Sequence, residues 1–158
     1  MLASPNSNSS VKLLKKVLVI QTAFMGDCVL ATALLESLHA ANPDLELHFL
    51  INEQHKALFT GHPYLTKLWT WDKKNKYKNL YRLIKLIRAE RFCAVINAQR
   101  FAATGLITLF SGAAIKVGFD KNPLSGYFDF VVPHTFENGL HEVARNHKLL
   151  EAAFSDCA

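Results

Sequence analysis

The sequence has few cysteines and no long apolar run. Cys28, Cys93 and Cys157 are not spaced as metal ligands, and their odd number does not suit a disulfide framework. We therefore expect a protein of the reducing cytoplasm. Charged residues break every apolar run well short of a membrane span, and Lys15 and Lys16 interrupt the first one. Neither a transmembrane helix nor a secretory signal is expected.

Several catalytic and phosphate-binding motifs are missing as well. The sequence has no G-x-G-x-x-G after its first predicted strand, no G-x-x-x-x-G-K-[ST] and no G-x-S-x-G, which argues against dinucleotide-binding, NTPase and serine hydrolase classes. His141 and His147 are too far apart to share a helix face as the histidines of H-E-x-x-H do. No metal site is expected.

Length and composition indicate one folded unit. The chain has 158 residues, of which 50% are hydrophobic and 11% aromatic, enough to bury one core. The Ser-, Asn- and Pro-rich start predicts a flexible polar tail over residues 1–14. Residues 15–158 then form the folded domain.

Alternating strand and helix patterns predict the fold class. The apolar run 17–20 is typical of a central strand that is buried on both faces. Further strands are predicted at 45–51, 65–71, 93–97, 115–119 and 128–132, and helices at 27–41, 53–60, 78–91, 102–110 and 140–154. Strands that alternate with crossover helices predict an α/β fold with a doubly wound, mainly parallel, Rossmann-like sheet.

Helical periodicity predicts which faces are buried. The buried stripe of the first helix is predicted to be Leu30, Leu34, Leu38 and Ala41. The stripe of the helix at 78–91 is predicted to be Leu80, Leu83, Ile84 and Ile87, opposite Lys78, Arg82, Lys85 and Arg88. For the last helix the predicted stripe is Val143, His147, Leu150 and Phe154.

Ligands of such a sheet bind at the carboxyl ends of its strands, which selects the loops 22–27, 97–101 and 120–126. The first loop leads directly into a helix, so a positive helix end surrounds Asp27. Asp27 is either the helix N-cap or a general base that takes a proton from a hydroxyl group, and one residue can serve both roles. Gly26 is predicted to allow a positive φ or the close approach of a ligand, or to serve only a tight turn.

One segment of the chain is strongly basic. The net charge is +5, and eight of the eighteen Lys and Arg residues lie at 73–91, where Glu90 is the sole acid. Trp69, Trp71, Tyr77 and Tyr81 lie in or beside this segment. The pattern fits a solvated helix face, and it also fits a surface that binds an anionic membrane or a phosphorylated glycolipid.

The sequence resembles one glycosyltransferase family. Residues 16–27, KVLVIQTAFMGD, followed by Leu30-Ala31-Thr32, look like the opening of glycosyltransferase family 9, the ADP-heptose:lipopolysaccharide heptosyltransferases. Further similarity lies at 42–44, 94–99, 117–119 and 141–150. The chain departs from the family at Ala33, where many members have Pro, at Asn97, where many have Asp, and at Arg100, where Gly is common.

This resemblance implies the N-terminal, acceptor-binding domain of a GT-B enzyme that inverts the anomeric carbon without a metal. ADP-heptose is the expected donor, with no other cofactor, and the anionic lipid A and inner-core glycolipid of lipopolysaccharide is the expected acceptor. Asp27 falls at the family's catalytic base. The residues expected to bind substrate are Thr22, Gly26, Asn97, Gln99, Arg100 and Lys121. Family members are much longer, so the C-terminal donor-binding domain is absent from this sequence, and the chain alone is expected to be inactive.

Other hypotheses stay open. The chain could be a non-enzymatic module that binds an anionic glycolipid through residues 73–91, or a truncated and inactive remnant. A flavodoxin-like or nucleotide-binding domain of another class is a further alternative, although its phosphate-binding glycines are lacking. The glycosyltransferase hypothesis places the protein in the cytoplasm, in peripheral contact with the inner membrane, and does not include a nucleic acid partner.

Overall fold

The computed structural model describes residues 15–134 and 142–155 as an alternation of strands and helices. The strands are β1 (Lys16–Ile20), β2 (Glu46–Asn52), β3 (Leu65–Trp71), β4 (Ala94–Asn97), β5 (Ile115–Phe119) and β6 (Phe130–Val132). The helices are α1 (Met25–Ala41), α2 (Lys56–Phe59), α3 (Lys76–Glu90), α4 (Ala102–Phe110) and α5 (Glu142–Ser155), with 3-10 turns at Glu53–His55 and Ser125–Tyr127. The predicted bounds differ from the observed ones by one or two residues, except that the helix predicted at 53–60 is a 3-10 turn followed by α2, which begins three residues later.

The strands form one sheet in the order β3-β2-β1-β4-β5-β6, and every neighbouring pair is parallel. Val17 of β1 lies in register with Leu47 of β2 on one side and with Ala94 of β4 on the other. The predicted central strand is therefore central. The α/β, doubly wound, Rossmann-like prediction is confirmed, and the sheet that was predicted as mainly parallel is parallel throughout.

Two apolar layers cover the two faces of the sheet. On one face, Leu34 and Leu38 of α1 and Leu149 of α5 belong to the same buried cluster as the β1 side chain of Val17. On the other face, the cluster joins the predicted stripe of α3 to Ile107 of α4. Because both faces are covered, β1 carries apolar side chains at consecutive positions instead of alternating ones.

The predicted buried faces of α1 and α5 are partly wrong. In α1 the buried residues are Cys28, Ala31, Leu34, Leu35 and Leu38, whereas Leu30 is 38% exposed. In α5 the core side is formed by Leu149, Leu150, Ala153 and Phe154, while Val143 is exposed. In α1 apolar residues surround much of the helix, so periodicity alone does not decide which side meets the sheet. In α5 the polar residues Arg145 and Asn146 are buried, which an apolar stripe cannot predict. In the part of the chain that the structure describes, no helix combines the length and apolarity of a membrane span.

Candidate functional site

A cleft opens at the carboxyl edge of the sheet between β1 and β4. The chain leaves β1 toward β2 and leaves β4 toward β5, so the two connections diverge at this point. Such a switch point is where open α/β sheets bind their ligands. The cleft has a volume of about 180 Å³, and the loops after β1 and β4 form its near walls.

Asp27 lines this cleft from the first turn of α1. Its side chain is half-buried, and no described residue donates a hydrogen bond to its carboxylate. The N-cap interpretation of Asp27 is wrong, because α1 begins at Met25 and its N-cap is Phe24, which makes no side-chain capping bond. The carboxylate is therefore not consumed by capping, and it sits where free N–H groups and the helix dipole favour a negative charge.

Gly26 differs from its prediction in conformation. Among the described glycines only Gly61 and Gly112 have a positive φ, so Gly26 has the ordinary backbone of a helix interior. The reason is that α1 starts before Gly26. A Cβ atom built on Gly26 would meet nothing within 4 Å, so the backbone is open to a ligand at this position. Gly26 itself does not line the cleft.

Side chains from two other segments brace the loop that carries Asp27. Thr22 is fully buried, and both its backbone N (3.0 Å) and its hydroxyl donate to Gln99 Oε1. Lys73 Nζ donates to the carbonyl oxygen of Thr22 at 3.0 Å. Thr22 was predicted to bind substrate, but it supports the loop from below and does not line the cleft.

The loop after β4 is braced in the same manner. Asn97 is fully buried, its Nδ2 donates to Thr108 Oγ1 (3.1 Å), and its Oδ1 accepts from Gln99 N (2.9 Å). Asn122 Nδ2 donates to the carbonyl oxygens of Gln99 (3.3 Å) and Phe101 (3.0 Å). Asn97 therefore supports the cleft and does not line it. Fixed loops of this kind are what a preorganised binding site needs.

Gln99 and Arg100, both predicted to bind substrate, do line the cleft. Gln99 is buried, and its Nε2 has no hydrogen-bond partner among the described residues, which leaves a buried donor for a ligand. Arg100 is exposed at the rim. Lys121 is also exposed, but it lies outside the cleft. Of the seven predicted site residues, the cleft brings together Asp27, Gln99 and Arg100.

The far wall contains residues that the sequence did not suggest. It is formed by Phe119, His134, Glu142 and Arg145. Arg145 Nη1 donates to Glu142 Oε2 at 2.6 Å. Burial lowers the pKa of His134, and the positive charges of Arg145 and Arg100 lower it further. His134 lies two residues after the end of β6, so the rule that ligands bind at the carboxyl ends of strands could have selected it.

The cleft thus combines an accessible carboxylate with cationic side chains. Arg145 is paired with Glu142, whereas Arg100 at the rim suits an anionic ligand, and Asp27 can accept a proton from a hydroxyl group of that ligand. In residues 15–134 and 142–155, no group of three His, Cys, Asp or Glu side chains is arranged to hold a metal ion. His141, considered above with His147, lies outside the described residues.

The strand order and the position of the cleft define a Rossmann-like domain of the kind found in GT-B glycosyltransferases. No protein-family model matches the chain. Its curated relatives include lipopolysaccharide heptosyltransferase 1 of Campylobacter coli, 24% identical over 124 residues, and lipopolysaccharide core heptosyltransferase OpsX of Haemophilus influenzae, 25% identical over 118 residues. These matches cover 78% and 74% of this chain but 35% and 34% of the relatives, so the chain spans about a third of their length.

Solved structures agree with these relatives. The glycosyl transferase family 9 structure from Veillonella parvula superposes with a TM-score of 0.77 at 22% identity, covering 91% of this chain and 43% of that one. E. coli ADP-heptose lps heptosyltransferase II gives a TM-score of 0.75 at 19% identity, covering 87% of this chain and 40% of that one. The resemblance to glycosyltransferase family 9 is confirmed.

Proposed function

We propose that this chain is the acceptor-binding half of an inverting, metal-independent glycosyltransferase of lipopolysaccharide core biosynthesis. In this proposal, heptose passes from ADP-heptose to an inner-core acceptor at the cytoplasmic face of the inner membrane. The observation that carries the proposal is the carboxylate of Asp27, which is half-buried, lines the switch-point cleft and has no hydrogen-bond donor among the described residues.

The proposed reaction is a direct displacement with Asp27 as general base. Asp27 takes the proton of an acceptor hydroxyl as that oxygen attacks the anomeric carbon of the donor. The bond from the anomeric carbon to the diphosphate breaks, ADP leaves with the electron pair, and the configuration inverts. Proton transfer to a positioned side chain contributes on the order of 10²–10⁴-fold to such a step.

The charges of the cleft support an anionic acceptor. Arg100 lies exposed at the rim and Gln99 offers a buried donor, and both line the same cleft as Asp27, which supports an acidic sugar as the ligand. The names of the curated relatives support heptose transfer and the pathway, since both are lipopolysaccharide heptosyltransferases, and the similar E. coli structure is named as an ADP-heptose enzyme. Donor binding by this chain has no support of its own in the cleft, and we propose no residue for it.

Acceptor binding can be tested on the chain itself. Calorimetry with a deacylated lipid A and inner-core fragment should show binding, and Arg100→Gln should weaken it by about tenfold or more, because a charge-assisted hydrogen bond is lost. Lys148→Gln, on the exposed side of α5, is the matched control and should leave the affinity unchanged. Absence of binding to the unmodified chain would refute the acceptor assignment.

The role of Asp27 requires a donor half. The donor-binding domain of a heptosyltransferase, fused after residue 158, should allow ADP release from ADP-heptose in the presence of acceptor. Asp27→Asn should reduce that release by on the order of 10²–10⁴-fold with little change in acceptor affinity. Asp44→Asn, an exposed carboxylate in the turn between α1 and β2, should turn over normally. Equal turnover of Asp27→Asn and the unmodified fusion would exclude Asp27 as the base, and an inactive fusion that still binds acceptor would favour the remnant hypothesis.

A further inference from the structure

The outer face of α3 exposes aromatic and apolar side chains among cations. Tyr77 is 82% exposed, Tyr81 67% and Leu86 50%. Lys78, Tyr81, Arg82, Lys85 and Leu86 together line one shallow hollow of about 360 Å³. Their spacing of three and four residues puts them on one side of the helix, opposite the residues that enter the core. We call this surface the basic face of α3.

The cations of the basic face have no acidic partners among the residues that the structure describes. No described acid forms an ion pair with Lys78, Arg82 or Lys85. Glu90, the acid at the end of the helix, is engaged by Lys16 at 3.0 Å and by Lys67 at 3.6 Å. The positive potential of the face is therefore not neutralised within the described chain.

This arrangement works against the stability of the helix. The first turn of α3 contains Lys76 and Lys78 but no acid, and no side chain caps its N-terminus, so positive charge meets the positive end of the helix dipole. Lys78 and Arg82 are four residues apart, and like charges at that spacing repel. If the only role of this face were to contact water, acidic residues among the basic ones would make the helix more stable. Local rules broken without an internal gain are typical of a functional surface.

The chemistry of the face fits a lipid bilayer with anionic headgroups. Lys and Arg side chains reach headgroup phosphates while their aliphatic stems lie along apolar surface. Tyr rings favour the level of the headgroups, and an exposed Leu gains from contact with acyl chains. Lys85 Nζ lies 5.5 Å from the ring centroid of Tyr81, so cation and ring already form one unit. A nucleic acid would attract the cations but offers no apolar layer for Leu86.

We infer that the basic face of α3 is a docking surface for an anionic membrane. Lys78, Arg82 and Lys85 contact lipid phosphates, and Tyr81 and Leu86 enter the interface between them. The inference stands on the surface alone and does not require that the chain be part of a glycosyltransferase. Because α3 follows β3, it starts at the carboxyl edge of the sheet, where the cleft also opens.

Vesicle co-sedimentation of the full 158-residue chain tests the inference. The chain should bind vesicles of mixed phosphatidylglycerol and phosphatidylcholine, and should bind pure phosphatidylcholine vesicles much more weakly. Added salt should weaken the binding, because the attraction is screened beyond about 8 Å at physiological ionic strength. The triple variant Lys78→Gln, Arg82→Gln, Lys85→Gln should lose on the order of a hundredfold in partitioning.

A matched triple variant separates position from total charge. Lys15→Gln, Lys56→Gln and Lys148→Gln remove three exposed charges elsewhere on the chain and should reduce the partitioning far less. Tyr81→Ser with Leu86→Ser keeps every charge and should still weaken binding by on the order of tenfold. Circular dichroism verifies that each variant is folded.

Three outcomes would overturn the inference. The first is equal loss of binding in the two triple variants, since position would then be irrelevant. The second is equal binding to the two kinds of vesicle. The third is an absence of vesicle binding combined with tight binding of an RNA or DNA oligonucleotide that the basic-face triple variant abolishes, which would assign the surface to nucleic acid.

Discussion

Gly26 and Asp27 are adjacent in the first turn of α1 but serve the cleft differently. Asp27 contributes a carboxylate to the wall of the cleft, whereas Gly26 lies outside the lining and leaves the backbone next to Asp27 uncovered. A glycine in a regular helix costs stability relative to alanine. Retaining it there is understandable if a ligand passes close to the backbone.

Gly26→Ala should separate these two effects. Since the backbone is helical and the space is open, the substitution should raise the free energy of unfolding by about 0.4–1 kcal/mol. The same methyl group should weaken binding of the inner-core fragment, as measured by calorimetry. Greater stability with unchanged affinity would remove Gly26 from the substrate-binding residues.

His48 on β2 is buried, and its contribution to the stability of the fold requires a neutral imidazole. Its Nδ1 accepts a hydrogen bond from Trp69 Nε1 at 3.0 Å, and burial lowers the pKa of His48 below 6.5, although the Glu90 carboxylate acts in the opposite direction. The unfolded chain therefore takes up this proton more readily than the folded one. Stability from neutral His48 is complete above pH 6.5 and is lost as the pH falls through the lowered pKa.

We therefore expect the free energy of unfolding to fall between about pH 7 and about pH 5. The physical reason is that Trp69 loses its hydrogen-bond acceptor when His48 is protonated. Urea unfolding at a series of pH values, followed by tryptophan fluorescence, measures this change in stability. His48→Gln should be less stable at neutral pH but should show a smaller acid-dependent loss. An identical pH profile in the variant would assign the acid sensitivity to other groups, such as His134, whose pKa is also lowered.

At the scale of single residues, the sequence predicted which polar residues lie near the site better than it predicted what each of them does there. It selected polar residues at the ends of β1 and β4, and three of them line the cleft. It did not predict that Thr22 and Asn97 are turned beneath the cleft as braces, because that follows from hydrogen bonds between residues far apart in the chain. Arg145 was missed since nothing local indicates that α5 reaches the cleft.

At the scale of elements, α4 and the turn after β5 fit together through Gly105. A Cβ atom on Gly105 would overlap the side-chain amide of Asn122, which braces the loop after β4. Gly105→Ala should lower the free energy of unfolding by about 1–3 kcal/mol through overpacking, measured by urea denaturation. It should also weaken acceptor binding, because the loop that presents Gln99 and Arg100 loses its brace.

Gly126→Ala is the control for this prediction. Gly126 lies in the 3-10 turn of the same connection, is exposed, and has nothing within 4 Å of a built Cβ. Its unfolding free energy should change by no more than about 0.5 kcal/mol. If the two alanine variants are equally stable, the contact between α4 and Asn122 is not tight.

The boundaries of an element were predictable where the sequence contains residues that typically end a helix or a strand. Asn42 ends α1 where it was expected, and β3, α4 and β5 have their predicted limits. The start of α1 was placed too late, because Phe24 is an unusual N-cap and the acidic Asp27 offered a more familiar one. The basic side of α3 was correctly predicted, since its apolar stripe is narrow and regular.

At the scale of the whole molecule, the alternation of strand and helix patterns along the sequence was enough to predict the fold class. It was not enough to predict the position of the site. The carboxyl-end rule chose three loops, and the cleft uses the first two. Which loops meet depends on strand order, and the reversal of winding between β1 and β4 is a property of the complete sheet. The third loop, 120–126, braces its neighbour through Asn122 instead.

The domain limits remain a prediction that deletion can test. Residues 1–14 lie outside the described part of the chain, as does Cys157. If residues 1–14 are a flexible tail, a chain that lacks them should have a free energy of unfolding within about 0.5 kcal/mol of the original, by urea titration. A loss of more than about 1 kcal/mol would place part of this segment within the folded domain.

The bond from Lys73 Nζ to the carbonyl oxygen of Thr22 joins the loop of Asp27 to the segment that enters α3. If this hydrogen bond transmits a displacement of one end to the other, the two surfaces are energetically coupled. If lipid contact tightens acceptor binding by some factor, bound acceptor must tighten lipid contact by that same factor. The protein would then dwell longest on those patches of membrane that already contain its substrate.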